Sequence, residues 1–176
     1  DEPPRQQIAV LPVNINQQAA LRFDSAQITQ FFNHYPFVRD YEQETRSFYR
    51  KRNYTYAWFL KDGLIEQAAF LANKLSNLKS EGVYKRLYYQ RRLDSLIDEQ
   101  KIKTKIKEPD LNLELLLSTE YFVYTKLVWG GMNSDVSKSV DWFIPRKNIT
   151  YAQYLDSMLK TPVNRQLPRE PVYRQY

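Results

Sequence analysis

The run LNLELLLSTEYFVYTKLVW, residues 111 to 129, constrains this chain more than any other stretch. It is apolar at nearly every angle around a helix, so it has no broad polar side to turn to water. Such a helix is stable only at the centre of a domain, wrapped by others. Glu114, Glu120 and Lys126 interrupt the run, which makes it a core helix and excludes a membrane span. Leu116, Phe122 and Leu127 should form the hydrophobic centre. A Glu114 that faced solvent could be truncated for well under about 1 kcal/mol.

The rest of the chain supplies the wrapping. Asp24 with Gln27 forms a capping-box pattern ahead of Ile28, Phe31, Phe32 and Tyr35, and Pro36 closes that helix. Asp40 with Gln43 repeats the device before the stripe Tyr41, Thr45, Phe48 and Tyr49. A third helix is expected from near Asp62, carrying Leu64, Ala68, Leu71, Leu75 and Leu78 up to Gly82. A fourth spans roughly Lys85 to Lys101, with Tyr89, Leu93, Leu96 and Ile97 inward. Gly130 and Gly131 end the central helix. The segment VDWFIPRKNI should run extended through Pro145. Thr150 and Gln153 cap a sixth helix, stapled by Ile149 and Tyr154. The sequence therefore reads as a mostly α single-domain bundle of about six helices with short extended segments. Residues 1–20 form an extended N-terminal segment, 21–161 the helical domain, and 162–176 a Pro-containing tail leading to further domains.

Composition excludes several function classes. The chain holds no Cys among its 176 residues, which rules out a disulfide, a thiol nucleophile and a zinc–thiolate site. Its single histidine, His34, stands at a helix end without partners at metal or acid–base spacing, so a surface role is expected. The glycines make no phosphate-cradling pattern and no Ser sits in a nucleophile elbow. Catalytic, metal and cofactor residues are therefore read as none. The net charge of +6 invites an acidic partner. The segments YKRLYYQRR and KIKTKIK place cations beside rings, as single-strand nucleic-acid binders do, but a solvated face over a Tyr-rich core is the preferred reading of them.

The stretch FYRKRNYTYAW, 48 to 58, combines two periods. Phe48 and Tyr49 continue the helical stripe, with Arg52 one turn on and able to lie over either ring. Asn53 suits the turn that ends the helix. Tyr54, Tyr56 and Trp58 then alternate with Thr55 and Ala57, as in an extended segment with one aromatic face. Two aromatic rows meeting at Asn53 imply a packed corner and not a binding groove.

That stretch also resembles the Phe/Leu-Tyr-x-x-Arg-x-Tyr-x-x-x-Trp signature that opens the scaffold domain of large bacterial murein L,D-transpeptidases. Phe48, Tyr49, Arg52, Tyr54 and Trp58 stand at its positions. EGVYKRLY is similar to the family's Gly-Leu-Asp-Pro-x-x-Tyr segment through Gly82, Val83 and Tyr88, with Tyr84 and Lys85 replacing the Asp-Pro. ELLLSTEYFVYTKLVWGG is similar to its Leu-Thr helix ending in Gly130, with Ser118 where Thr is usual. The Trp142 segment, ITYAQYL and PVY also fit, so the resemblance covers about residues 40 to 176.

The resemblance implies an exported, non-catalytic part of an enzyme that cross-links peptidoglycan peptides in the periplasm or cell envelope. A catalytic domain with a Cys nucleophile and a peptidoglycan-binding domain of the same parent would be its partners, peptidoglycan an indirect one, and nucleic acid none. No cofactor is implied. The alternative from another class is a free-standing basic helical domain that binds nucleic acid or anionic glycan.

Overall fold

Why the central run becomes a helix at its stated start is visible at Asp110. Its side-chain Oδ1 accepts from the Leu113 N–H at 3.1 Å and its carbonyl from the Glu114 N–H at 3.0 Å, capping the first turn. In the computed structural model, which describes residues 21–85, 87–102, 108–129, 151–160 and 162, this helix is α5, Leu111–Trp129. Around it lie α1 (Ala26–His34), α2 (Glu42–Lys51), α3 (Glu66–Ser76), α4 (Gln90–Ile102) and α6 (Tyr151–Lys160). Helix α5 packs against all five and against a 3-10 turn, Pro36–Tyr41. Every residue from Leu113 to Phe122 is buried. The polar ones among them remain satisfied where they can bond backward: Thr119 Oγ1 donates to the Leu115 carbonyl at 2.8 Å. The mostly α single domain, with six α-helices among the described residues, is the one the sequence implies.

Several boundaries differ from expectation for identifiable reasons. The capping box of α1 forms: Asp24 Oδ1 accepts from the Ala26 N–H at 2.8 Å, and Gln27 Oε1 from the Asp24 N–H at 3.1 Å. The repeat at Asp40 does not, because Asp40 falls inside the 3-10 turn and α2 starts without a side-chain cap. Helix α3 starts at Glu66 and not near Asp62. Phe59–Leu60 (β1) and Gly63–Leu64 (β2) pair antiparallel instead, and Gly63 at φ 125° adopts a conformation no helix contains. Helix α3 also ends earlier than expected, at Ser76; Leu78 lies in a separate 3-10 turn, Leu78–Glu81, and it is this turn that Gly82 ends, at φ 77°. Helix α4 starts at Gln90, five residues late, because Tyr88 and Tyr89 are engaged by tertiary contacts to Phe37. The N-terminal segment 1–20, Gly130, Gly131, Trp142, the Pro145 segment, Ile149, Thr150 and the tail beyond Pro162 lie outside the described residues.

Leu116 is fully buried at the middle of α5. Leu116→Ala should destabilise the domain by about 2 to 5 kcal/mol in a urea melt, the range for truncating a packed core leucine. A loss under about 1 kcal/mol would show that α5 is not the centre of the core.

Candidate functional site

The corner at 48 to 58 is built by a helix that stops abruptly. Asn53 and Tyr54 both adopt left-handed backbone, at φ 55° and 57°, after the last turn of α2. A non-glycine pair there costs roughly 1–2 kcal/mol per residue. It is held by the Tyr54 N–H donating to the Tyr49 carbonyl at 2.8 Å. The Phe23 N–H donates to the Tyr54 carbonyl at 3.1 Å, and the Tyr56 N–H to the Leu21 carbonyl at 2.9 Å. The Phe23 ring meets Tyr49, Tyr54 and Tyr56 edge-on at 5.0, 6.0 and 5.5 Å. Beyond the reversal the chain dives inward, so Ala57, Trp58 and Phe59 are all buried. The expected strict alternation from Tyr54 to Trp58 therefore holds only in part.

At the bottom of the corner lies a buried carboxyl. Glu114, in the first turn of α5, is 0% exposed. Its Oε1 accepts from the Ala57 N–H and from Tyr49 Oη, each at 2.6 Å, and its Oε2 from the Trp58 N–H at 2.9 Å. One turn along α5, Ser118 Oγ accepts from Trp58 Nε1 at 2.8 Å and lies 2.6 Å from Tyr49 Oη. Counting protons orients the chain of bonds. Tyr49 gives its only proton to the carboxylate, so Ser118 donates to Tyr49 and receives from Trp58. The Trp58 carbonyl in turn accepts from the Ile65 N–H at 2.9 Å, tying in the hairpin. Glu114 is thus no surface charge, contrary to the solvent-facing reading.

Burial raises the Glu114 carboxyl to about 7, against the pull of its three donors and of the nearby Arg52. Burial, reinforced by Glu114, holds the Tyr49 phenol well above its usual range, so it stays a donor. Arg52 lies over the Phe48 ring at 5.2 Å, one of the two rings allowed by its spacing, and pairs with Asp156 of α6 at 2.8 Å.

Of the residues singled out in the sequence, Phe48, Tyr49, Arg52, Tyr54 and Trp58 converge on this corner. Gly82 serves its own turn, and Tyr88 is exposed and stacked on Phe37. Gly130 and Trp142 lie outside the described residues. Sequence reading missed Glu114 and the bonding role of Ser118. The signal was present: an acid in a helix without a polar face has nowhere to go but inward. What was invisible is that two of its three donors are main-chain N–H groups. Among the described residues no three His, Cys, Asp or Glu side chains are grouped to hold a metal ion. His34 is exposed and packs edge-on against Tyr35 at 4.9 Å. A fully buried carboxylate whose oxygens both accept hydrogen bonds is a structural anchor, with no access for a substrate.

A family model described as a scaffold domain matches residues 43–176, a span that takes in every corner residue from α2 onward and Glu114. The chain belongs to the scaffold-domain family. No curated protein and no solved structure matches it.

This scaffold domain carries a second buried acid. Glu120 is also 0% exposed, yet neither carboxyl oxygen makes a hydrogen bond. Burial raises it to about 7; the Tyr89 main-chain N–H pulls the other way without reaching hydrogen-bonding geometry. The two glutamates should respond oppositely to substitution. Glu114→Gln turns an amide donor onto the N–H of Ala57 or Trp58 and should destabilise the domain by about 1 to 3 kcal/mol or more.

Glu120→Gln removes a charge and no hydrogen bond. A carboxyl titrating at about 7 when folded and near 4.5 when unfolded binds more protons in the folded state between those values. Its contribution is therefore fully present below about pH 4.5 and is lost as the pH rises through about 7. Chemical melts from pH 4 to 8 should show Glu120→Gln gaining on the unsubstituted domain as pH rises, by up to a few kcal/mol. Parallel curves would show that Glu120 is not buried.

Proposed function

We propose that this chain is the non-catalytic scaffold domain of an exported L,D-transpeptidase that cross-links peptidoglycan peptides. In this reading the parent works in the periplasm or cell envelope. The chain holds its catalytic and peptidoglycan-binding domains in position and contributes no reacting group. The observation that carries the reading is the convergence of Phe48, Tyr49, Arg52, Tyr54 and Trp58 on one corner. These are the residues of the signature that the sequence resembles, and they act together. The scaffold-domain match over residues 43–176 supports it. The total lack of Cys supports the division of labour, because the thioester chemistry of such enzymes needs a thiol that this chain cannot provide.

A scaffold of this kind needs a rigid body. The corner supplies one by joining α2, the hairpin and α5 through buried bonds, and α6 through the Arg52–Asp156 pair. Among the described residues no helix is long and apolar enough to cross a membrane.

The reading frame that encodes this chain, read in full, should carry a Ser-x-Gly-Cys-x-Arg motif with an upstream His. A frame without a cysteine-bearing catalytic domain contradicts the proposal. The isolated chain, incubated with a carbapenem, should show no mass increase by intact-protein mass spectrometry, whereas the complete parent should gain one covalent adduct. An adduct on the isolated chain would place chemistry in this domain and overturn the division of labour.

A further inference from the structure

Glu120 is a buried acid that neither the corner nor the proposed function uses. Its side chain is fully buried and neither carboxyl oxygen makes a hydrogen bond. Ionised there, it would be costly, because nothing replaces the water it has lost. Its neighbours do little to help. From the 3-10 turn Pro36–Tyr41 the Tyr41 phenol faces it, and Asp40 of that turn and Glu44 of α2 act on the same phenol. Lys126, on α5 itself, lies over the Tyr41 ring at 5.5 Å. Arg92, the cation in the first turn of α4, is drawn to Tyr35, Glu99 and Asp110 instead.

What reaches Glu120 from α4 is the main chain of Tyr89, the residue just before the helix. This part of the wrapping is irregular. Among the described residues from 83 to 89 none lies in a helix or strand, and Tyr84, Lys85 and Tyr88 are exposed. Tyr89 is held by few contacts. Its Oη accepts from the Phe37 N–H at 3.2 Å, and its ring meets Tyr35 edge-on at 4.9 Å. Its carbonyl accepts from the Leu93 N–H at 2.9 Å, the first bond of α4. Irregular, partly solvated segments of this kind open locally at a far lower free energy than the whole domain. Helix α5 need not move when this one opens, since α1, α2, α3 and α6 also pack against it.

We propose that the Glu120 proton latches the chain at 87–89 and the first turn of α4 onto α5, and that its loss to water releases them while the rest of the domain stays folded. Two effects compete at the closed carboxyl. Burial opposes the ion and the Tyr89 N–H favours it; burial prevails, because the group titrates at about 7. Opened to water, it returns towards 4.5. The closed form therefore binds more protons between those values. The latch is complete below about pH 4.5 and is lost as the pH rises through about 7. On release the Tyr89 ring leaves Tyr35, and the Phe37 N–H loses its acceptor.

Amide hydrogen exchange of the whole chain between about pH 5 and 8, with rates corrected for the intrinsic effect of pH, tests the proposal at the Leu93 N–H. Its protection should fall by roughly 10- to 100-fold across that range. At the upper end, low urea should leave it unchanged, the mark of an opening that exposes little surface. The Leu116 N–H, which opens only with the whole domain, should stay better protected and should respond to urea. In Glu120→Gln the Leu93 protection should no longer depend on pH. A Leu93 amide whose protection is flat over the range would overturn the proposal. So would one that exchanges at the Leu116 rate with the same urea response, or a pH response that survives in Glu120→Gln. The comparison of Leu93 with Leu116 needs no variant, so it decides the matter even if Glu120→Gln fails to fold.

Discussion

The buried Glu114 carboxylate is the constraint on which the rest of the domain depends. Removing an ion from water costs several kcal/mol, and the hydrogen bonds to Glu114 offset that cost only in part, since its carboxyl is still raised to about 7. Here three donors converge on the two oxygens at 2.6 to 2.9 Å. Two of these donors are consecutive main-chain N–H groups, so the carboxylate dictates the backbone path through Ala57 and Trp58 as well as their side-chain packing. That requirement explains the left-handed pair at Asn53 and Tyr54. The chain must turn sharply enough after α2 to present those N–H groups to α5, and the strain persists because the surrounding bonds over-determine it.

The other corner residues shield or extend this anchor. Tyr49 and Ser118 pass hydrogen bonds from the Trp58 indole back to the carboxylate, and Phe48 and Phe23 pack against the Tyr49 ring. Arg52 does two jobs at the rim. Its charge lowers the Glu114 carboxyl, and its pairing with Asp156 brings α6 onto the same corner. The signature residues of this scaffold domain thus describe a joint between elements.

Much of this was legible in the sequence, and the rest was hidden for physical reasons. The apolar run at 111 to 129 could only be central, and α5 does touch every other described helix. The switch of period at Asn53 marked the corner, because helical and extended spacings of aromatic residues are distinct even without a structure. Helix starts were less legible. Asp62 and Asp40 both look like caps, but one sits at a hairpin tip enforced by Gly63 and the other in a 3-10 turn. The anchor itself was missed because a glutamate reads as a surface residue and its main-chain donors leave no trace in side-chain identity. Glu120 shows the same blind spot: a second acid on a helix without a polar face, buried and without a hydrogen bond.

Amide hydrogen exchange at Ala57 and Trp58 tests the central claim most directly. If Glu114 pins these two N–H groups, they should exchange only through global unfolding, as slowly as the amides of Leu116 and Leu117 in α5. In Glu114→Ala they should speed up more than the α5 amides do. Fast exchange at Ala57 and Trp58 in the unsubstituted domain, with α5 still protected, would contradict the account, because the corner would then open without breaking the core.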